Sequence, residues 1–200
     1  MIAIVDYEMG NLWSVQKGFE AVGHVAVVTR DPAVIADANG VVLPGVGSFG
    51  ACMTNLTKFG LVEPVRAAVS SGRPFLGICL GLQLLFTESE EFGSCPGLDI
   101  IPGRVMRFPP QVKVPHMGWN CLRFRRRAPI FMDVLDEAYV YFVHSYYVVP
   151  ADSEVVAAVT PYATDFVSAV WRANVYGVQF HPEKSQSTGL RILHSFGKLC

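Results

Sequence analysis

The segment Pro74–Phe86, PFLGICLGLQLLF, restricts the fold more than any other part of the chain. An apolar run suited to a buried strand reaches Cys79, and a second apolar run follows at once. Gly77 and Gly81 stand on either side. Strand, sharp turn and helix around G-x-C-x-G is the cysteine form of the nucleophile elbow. The turn brings backbone segments so near one another that a Cβ on either flank has no room, and the two glycines meet that demand. The cysteine side chain then projects above the C-terminal end of its strand, where open α/β sheets bind ligands. A helix over GLQLLFTES would aim its positive end at the sulfur and favour the thiolate. The Leu80 N–H would point outward to hold an oxyanion. A cysteine packed as a small hydrophobe is the competing reading, and it leaves both glycines without a reason.

The segments around the elbow set its context. IAIVDY (2–7) reads as a strand buried on both faces. Leu12, Val15, Phe19 and Val22 follow at helical spacing, with Asn11 as N-cap and Gly23 as the stop. HVAVVT is a second strand, and GVVLPGVGSFG a third that runs into a glycine-rich loop. LVEPVRAAVSSG is a helix closing on Gly72, and PFLGIC a fourth strand. This alternation predicts an α/β fold with a doubly wound, mostly parallel, flavodoxin-like sheet. Between residues 101 and 180 the runs GRVMRF, HMGWNCLRF, AYVYFVHSYYVV, VVAAVT and SAVWRANVYGVQF predict an antiparallel extension, with APIFMDVL the one helix among them. SQSTGLRILHSFGKL predicts a final amphipathic helix. Residues 1–200 are expected to form a single domain.

With 51% apolar residues the chain can bury a sizeable core. A net charge of -1 gives no bulk attraction to a polyanion. The one basic run, RFRRR (123–127), reads as a solvated strand end or turn rather than a nucleic-acid site. Five scattered cysteines without a CxxC argue against a disulfide framework and against a zinc site. The other four, Cys52, Cys95, Cys121 and Cys200, read as packed thiols. No window approaches a membrane span, and the N-terminus lacks a charged, apolar leader, so a soluble cytoplasmic protein is expected.

A thiolate nucleophile needs a base, and the base an orienting group. Among five histidines, His181 follows the strand VYGVQF directly, so it too lies at a strand's C-terminal end. Pro182 turns the chain there, and Glu183 is near enough to fix the imidazole tautomer. A lone H-P-E also fits a surface loop; beside the elbow it supplies the two missing roles. The loop PGVGSFG (44–50) ends another parallel strand and lacks the Gly-Lys-Ser/Thr ending of a P-loop. Its backbone around Val46 and Gly47 reads as a second oxyanion donor, and its glycines make it a candidate switch.

Elbow, H-P-E and P-G-x-G loop together resemble the triad, or class I, glutamine amidotransferases over the whole chain. The resemblance implies that Cys79 attacks the carboxamide of glutamine, with His181 as base and acid and Glu183 as orienter. It implies an oxyanion hole from Leu80 and the Val46–Gly47 loop, with Gln83, Ser145 and Tyr146 holding the α-amino and α-carboxylate groups. No cofactor is implied. PGVGSFG, PHMGWN (115–120), YFVHSYY (141–147) and HPEKS are similar to the glutaminase subunits of imidazole glycerol phosphate synthase. Relatives of the anthranilate and GMP type carry P-G-P-G or P-G-G and a histidine after the elbow glycine, where this chain has Leu82. The nearer likeness implies a heterodimer with a (β/α)8-barrel cyclase that receives ammonia for histidine biosynthesis. It also implies little hydrolysis until the barrel's ligand binds, with an oxyanion hole completed only then. Met117, Trp119 and Asn120 form a candidate docking face, and Tyr141 and Lys184 candidate linings of the ammonia exit. Taken singly, Trp119 would read as core, Lys184 as a solvated lysine, and the His144 side chain as a satisfied hydrogen-bonding histidine. A glutaminase serving another synthase, an elbow-cysteine oxidant sensor and a scaffolding pseudo-enzyme are the other readings.

Overall fold

Short runs of Ile, Val and Leu without polar alternation can be buried on both faces only between two layers of helices. The computed structural model, which describes residues 1–200, has that arrangement. The first half comprises β1 (Ile2–Val5), α1 (Leu12–Ala21), β2 (Ala26–Thr29), α2 (Pro32–Asp37), β3 (Gly40–Gly45), α3 (Phe49–Lys58), α4 (Val62–Ser70), β4 (Phe75–Cys79) and α5 (Leu80–Leu84). The strands β5 (Phe86–Ser89), β6 (Cys95–Pro96), β7 (Ile101–Arg107), β8 (His116–Cys121), β9 (Arg123–Phe124), β10 (Tyr139–His144), β11 (Tyr146–Pro150), β12 (Val156–Tyr162), β13 (Thr164–Arg172) and β14 (Val175–Val178) follow. The last element is α6 (Gln186–Gly197).

The main sheet runs β2-β1-β3-β4-β14-β13-β11-β7-β5-β6, with β12 and β9 branching from β13. Its first five strands are parallel, and β14 joins β4 although nearly a hundred residues separate them in sequence. Beyond β14 the pairing turns antiparallel apart from β5 with β7, as expected of the second half. Strands β8 and β10 form a separate ribbon. Alternate strand residues feed two cores. Ile2, Ile4, Val42 and Ile78 pack with Val15, Phe19, Ile192 and Phe196 of α1 and α6. Ala3, Val5, Val41 and Leu43 pack with Ile35, Leu56 and Val65 of α2, α3 and α4.

Several expected elements differ. The helix after the elbow is only the five residues of α5, and FTES forms β5. Glu88 and Ser89 are taken into pairing with both β6 and β7, which outweighs the helical pattern of the run. APIFMDVL contributes a 3₁₀ turn, Pro129–Phe131, rather than a helix. The chain there is only long enough to plug Ile130, Phe131 and Val134 into the core beside α6. Sequence patterning passes over α2 and α3, although Asp31 caps the first and Phe49, Cys52 and Leu56 mark the second at helical spacing. The basic run is a strand end, as expected: Arg123, Arg125, Arg126 and Arg127 are exposed.

At the elbow the two glycines are steric necessities. A Cβ on Gly77 would lie 2.7 Å from the Gly81 carbonyl oxygen, and one on Gly81 would run into the Leu43 carbonyl. Replacing Gly81 by Ala therefore forces backbone of β3 and α5 apart, at a cost of about 3 kcal/mol or more. Gly60, at positive φ (66°) but with open space about it, should lose only about 1 kcal/mol on the same change. Urea unfolding of the two variants checks this, and equal losses would contradict it.

Candidate active site

Three adjacent parallel strands bring the chemistry together. Cys79 ends β4, opposite Gly45 at the end of β3. His181 lies three residues beyond β14, which pairs with β4 on its other side. Cys79 sits at φ 54°, ψ −110°, a conformation that non-glycine residues avoid at a cost of about 1–3 kcal/mol. The strain keeps the thiol at the mouth of the sheet instead of in either core. Helix α5 begins immediately after it but is a single turn long, so its dipole is small beside that of a full helix.

His181 is fixed from all sides. Its N–H donates to the Tyr141 carbonyl at 2.9 Å. Its carbonyl accepts from the Ser185 hydroxyl at 2.6 Å, and that oxygen accepts the Tyr141 N–H at 2.9 Å. Pro182 opens a 3₁₀ turn that returns Glu183 to the ring, with Oε1 2.7 Å from Nδ1. The side chains of His181 and Glu183 are 3% and 1% exposed, so the pair is shielded from water. Helix α1 packs over this turn at Gly18, whose missing Cβ leaves room for Leu193 of α6 and sets the backbone against the Glu183 side chain. Burial alone would lower the imidazole pKa; the Cys79 sulfur beside it and the Glu183 carboxylate bonded to it outweigh that and hold His181 well above its ordinary value. His181 Nε2 is left without a partner of its own, as a nitrogen that exchanges protons with a substrate must be.

A cavity of about 330 Å³ opens above these groups. Cys79, His181, Leu80, Val46, Gly47, Gln83, Ser145 and Tyr146 all line it, and of the expected catalytic, oxyanion and substrate residues only Glu183 lies outside it, behind the His181 ring. The β3 loop is clamped from below: the Tyr7 hydroxyl donates to the Pro44 carbonyl at 2.6 Å, and the Cys52 thiol to the Val46 carbonyl at 3.6 Å. Burial pushes both the Tyr7 hydroxyl and the Cys52 thiol up, the latter to about 12, so each stays a donor. Met117, Trp119, Asn120, Tyr141 and Lys184 lie outside the cavity. Met117 and Trp119 are 62% and 44% exposed on the β8–β10 ribbon, where Trp119 meets the Tyr141 ring edge-on. Trp119 is thus not core. Lys184 is exposed on the turn after His181, whereas the Asn120 amide turns inward to the Pro161 carbonyl.

Sequence reasoning missed two residues of the site. Gln179 is fully buried, with its amide 3.8 Å from the Cys79 sulfur and its carbonyl accepting from Gln83 at 3.0 Å. A lone amide in the apolar run VYGVQF was the available signal. Glu91 reaches the cavity from the far side and accepts the Phe49 N–H at 2.6 Å, capping α3. No local pattern marked it, because its partner is 42 residues away.

The ring of His144 lines the same cavity, hydrogen-bonded to that of His116 at 3.0 Å. Burial lowers His116 to about 4 and His144 to about 3. Both are neutral in the folded protein, whereas the unfolded chain takes up protons from about 6.5 downward. Stability therefore stands in full above that pH and falls as the pH drops toward 4. Unfolding free energies measured between pH 6.5 and 4 should show this decline, and His144→Asn should reduce its slope by about one proton. An unchanged slope would contradict the neutral pair.

Comparison with known proteins supplies context for this geometry. A family model described as glutamine amidotransferase class-I matches residues 3–198. The imidazole glycerol phosphate synthase subunit HisH of Syntrophotalea carbinolica is 63% identical over 206 residues, covering 100% of both chains. That of Geobacter sulfurreducens is 56% identical, covering 99% of this chain and 98% of its own. Among solved structures, a glutamine amidotransferase superposes with a TM-score of 0.78 at 19% identity, covering 100% of this chain and 98% of its own. The PurLQS structure from Thermotoga maritima gives 0.73 at 17%, covering 98% and 96%.

Proposed function

The chain belongs to the class-I glutamine amidotransferase family, and from that membership we propose that it is the glutaminase subunit of an imidazole glycerol phosphate synthase. The observation that carries the reading is the meeting of Cys79 and His181 in one cavity, from two strand ends, with the Glu183 carboxylate 2.7 Å behind the imidazole. The full-length relatives named as HisH subunits support the assignment to this synthase.

In this reading glutamine lies with its carboxamide over Cys79. The thiol proton goes to His181 Nε2, giving an imidazolium paired with Glu183, and the sulfur then attacks the carboxamide carbon. The Leu80 N–H and the Val46–Gly47 loop take up the negative charge that develops on oxygen. His181 then protonates the departing nitrogen, and ammonia leaves a glutamyl thioester. Water, giving its proton to His181, attacks the thioester and releases glutamate and the thiol. Each turnover consumes one glutamine and one water. Glu183 holds Nδ1–H throughout and stabilises the imidazolium. Gln83 and the Ser145–Tyr146 backbone hold the amino-acid end of the substrate.

The partner in this reading is a (β/α)8-barrel cyclase that receives the ammonia. The exposed Met117 and Trp119 on the β8–β10 ribbon suit the centre of such a contact. Tyr141 and Lys184, next to the triad turn on the same side, are where ammonia would leave. The Val46–Gly47 loop, with Gly47 at φ 100°, is the element that completes the oxyanion hole when the partner is loaded.

Glutamate release, followed for the chain alone, with the barrel cyclase, and with cyclase plus its ribotide ligand, tests this. Activity is expected to be weak alone and to rise strongly only in the full mixture. Cys79→Ala should abolish it, and Glu183→Gln should lower kcat roughly 10³–10⁴-fold with little change in KM. Strong activity indifferent to the cyclase would refute the partner. An active Cys79→Ala variant would refute the mechanism.

A further inference from the structure

The ring pair of His116 and His144 takes no part in the proton transfers above, yet it ends the β8–β10 ribbon, where His144 lines the cavity. Its hydrogen bonds form one chain. The Asn120 Nδ2 donates to His116 Nε2 at 3.3 Å, His116 Nδ1 to His144 Nε2 at 3.0 Å, and His144 Nδ1 to the Tyr146 carbonyl at 2.8 Å. The same carbonyl accepts Gln83 Nε2 at 3.0 Å. Gln83 donates onward to Gln179, whose amide faces the Cys79 sulfur.

The directions are set from both ends. A peptide carbonyl only accepts, so His144 carries its proton on Nδ1, and a neutral ring then has only Nε2 to accept with. At the other end the Asn120 carbonyl oxygen accepts the Cys121 N–H at 2.9 Å, so its amide nitrogen must face His116. Both rings are therefore Nδ1–H tautomers. Phe108, Phe142, Phe166 and Tyr162 surround them, an environment that penalises charge. A second proton on either ring would also set one donor against another. The chain does not conduct protons, because His144 and Gln83 both donate to the Tyr146 carbonyl and nothing passes beyond it.

We propose that His116 and His144, at the end of the β8–β10 ribbon, are positioning residues, which hold the Ser145–Tyr146 backbone in the form that recognises the amino-acid end of glutamine and couple it to the Asn120 side chain further along β8. The inference rests on the glutaminase reading. Asn120 shares its strand with Met117 and Trp119, so a shift of that strand moves the first link of the chain. Gln83 and Gln179 extend the same restraint to the surroundings of the nucleophile.

The test uses the full chain and two reagents for Cys79. Iodoacetamide reads thiol reactivity alone; 6-diazo-5-oxo-L-norleucine must also be recognised as an α-amino acid. Nitrogen-15 NMR of the wild-type side chains should show both rings as neutral Nδ1–H tautomers at pH 7.5. His144→Leu should slow labelling by the diazo analogue about tenfold, the loss of one hydrogen bond, while alkylation by iodoacetamide stays unchanged. His144→Asn places an amide N–H where Nδ1–H was and should restore most of the analogue rate. Either ring found as Nε2–H or charged would overturn the proposal. So would a Leu variant labelled at the wild-type rate, equal slowing of both reagents, or an Asn variant no better than Leu. A wild-type chain that iodoacetamide alkylates and the analogue does not would overturn the glutaminase reading itself. That result is separable because it appears without any substitution.

Discussion

The close approach of β3 to the turn after β4 is the constraint on which the site depends. The Leu43 carbonyl occupies the place of a Cβ on Gly81, and the Gly81 carbonyl nearly fills that of one on Gly77. Only backbone fits between these segments, so the turn cannot relax away from its strained φ at Cys79. The parallel register then sets the loop after β3 beside the cysteine, since Gly45 pairs with Cys79 itself. A looser elbow would lose both at once: the thiol would fall into a core, and the loop would drift from it.

A second consequence concerns charge. His181 and Glu183 are nearly inaccessible, and a buried ion pair stabilises only when its remaining polar atoms are satisfied. Here one atom of each, His181 Nε2 and Glu183 Oε2, has no partner. The cost is tolerated because Ser185, Tyr141 and the packing of α1 and α6 hold the turn irrespective of the ion pair. A site with a free, strongly basic nitrogen beside a thiol is worth less in stability than in reactivity.

Sequence patterns were a good guide wherever an element is defined by near neighbours. Strands β1 to β4, helix α1 with its Asn11 cap and the final amphipathic helix lie where periodicity set them. The pattern misled where long-range pairing competes with local preference. FTES continues a helical run, yet β7 claims it as a strand. APIFMDVL has a helical look, but the space beside α6 admits one turn. Cys79, His181 and Glu183 were legible as candidates because glycine spacing and H-P-E are local marks. Gln179 and Glu91 were not, since a buried amide or a capping carboxylate is recognised by the partner it meets.

By itself the sequence determined the elbow, the order of strands and helices in the first half, and the residue types a thiol-based hydrolysis requires. These follow from sterics and periodicity within a few residues. The tertiary structure alone decided that β14 inserts beside β4, nearly a hundred residues distant, and so placed His181 over the cysteine. It also decided that a ribbon apart from the main sheet would link an exposed tryptophan strand to the cavity through two neutral histidines. Such links depend on which strands share hydrogen bonds, and that choice is made by the packing of the whole chain.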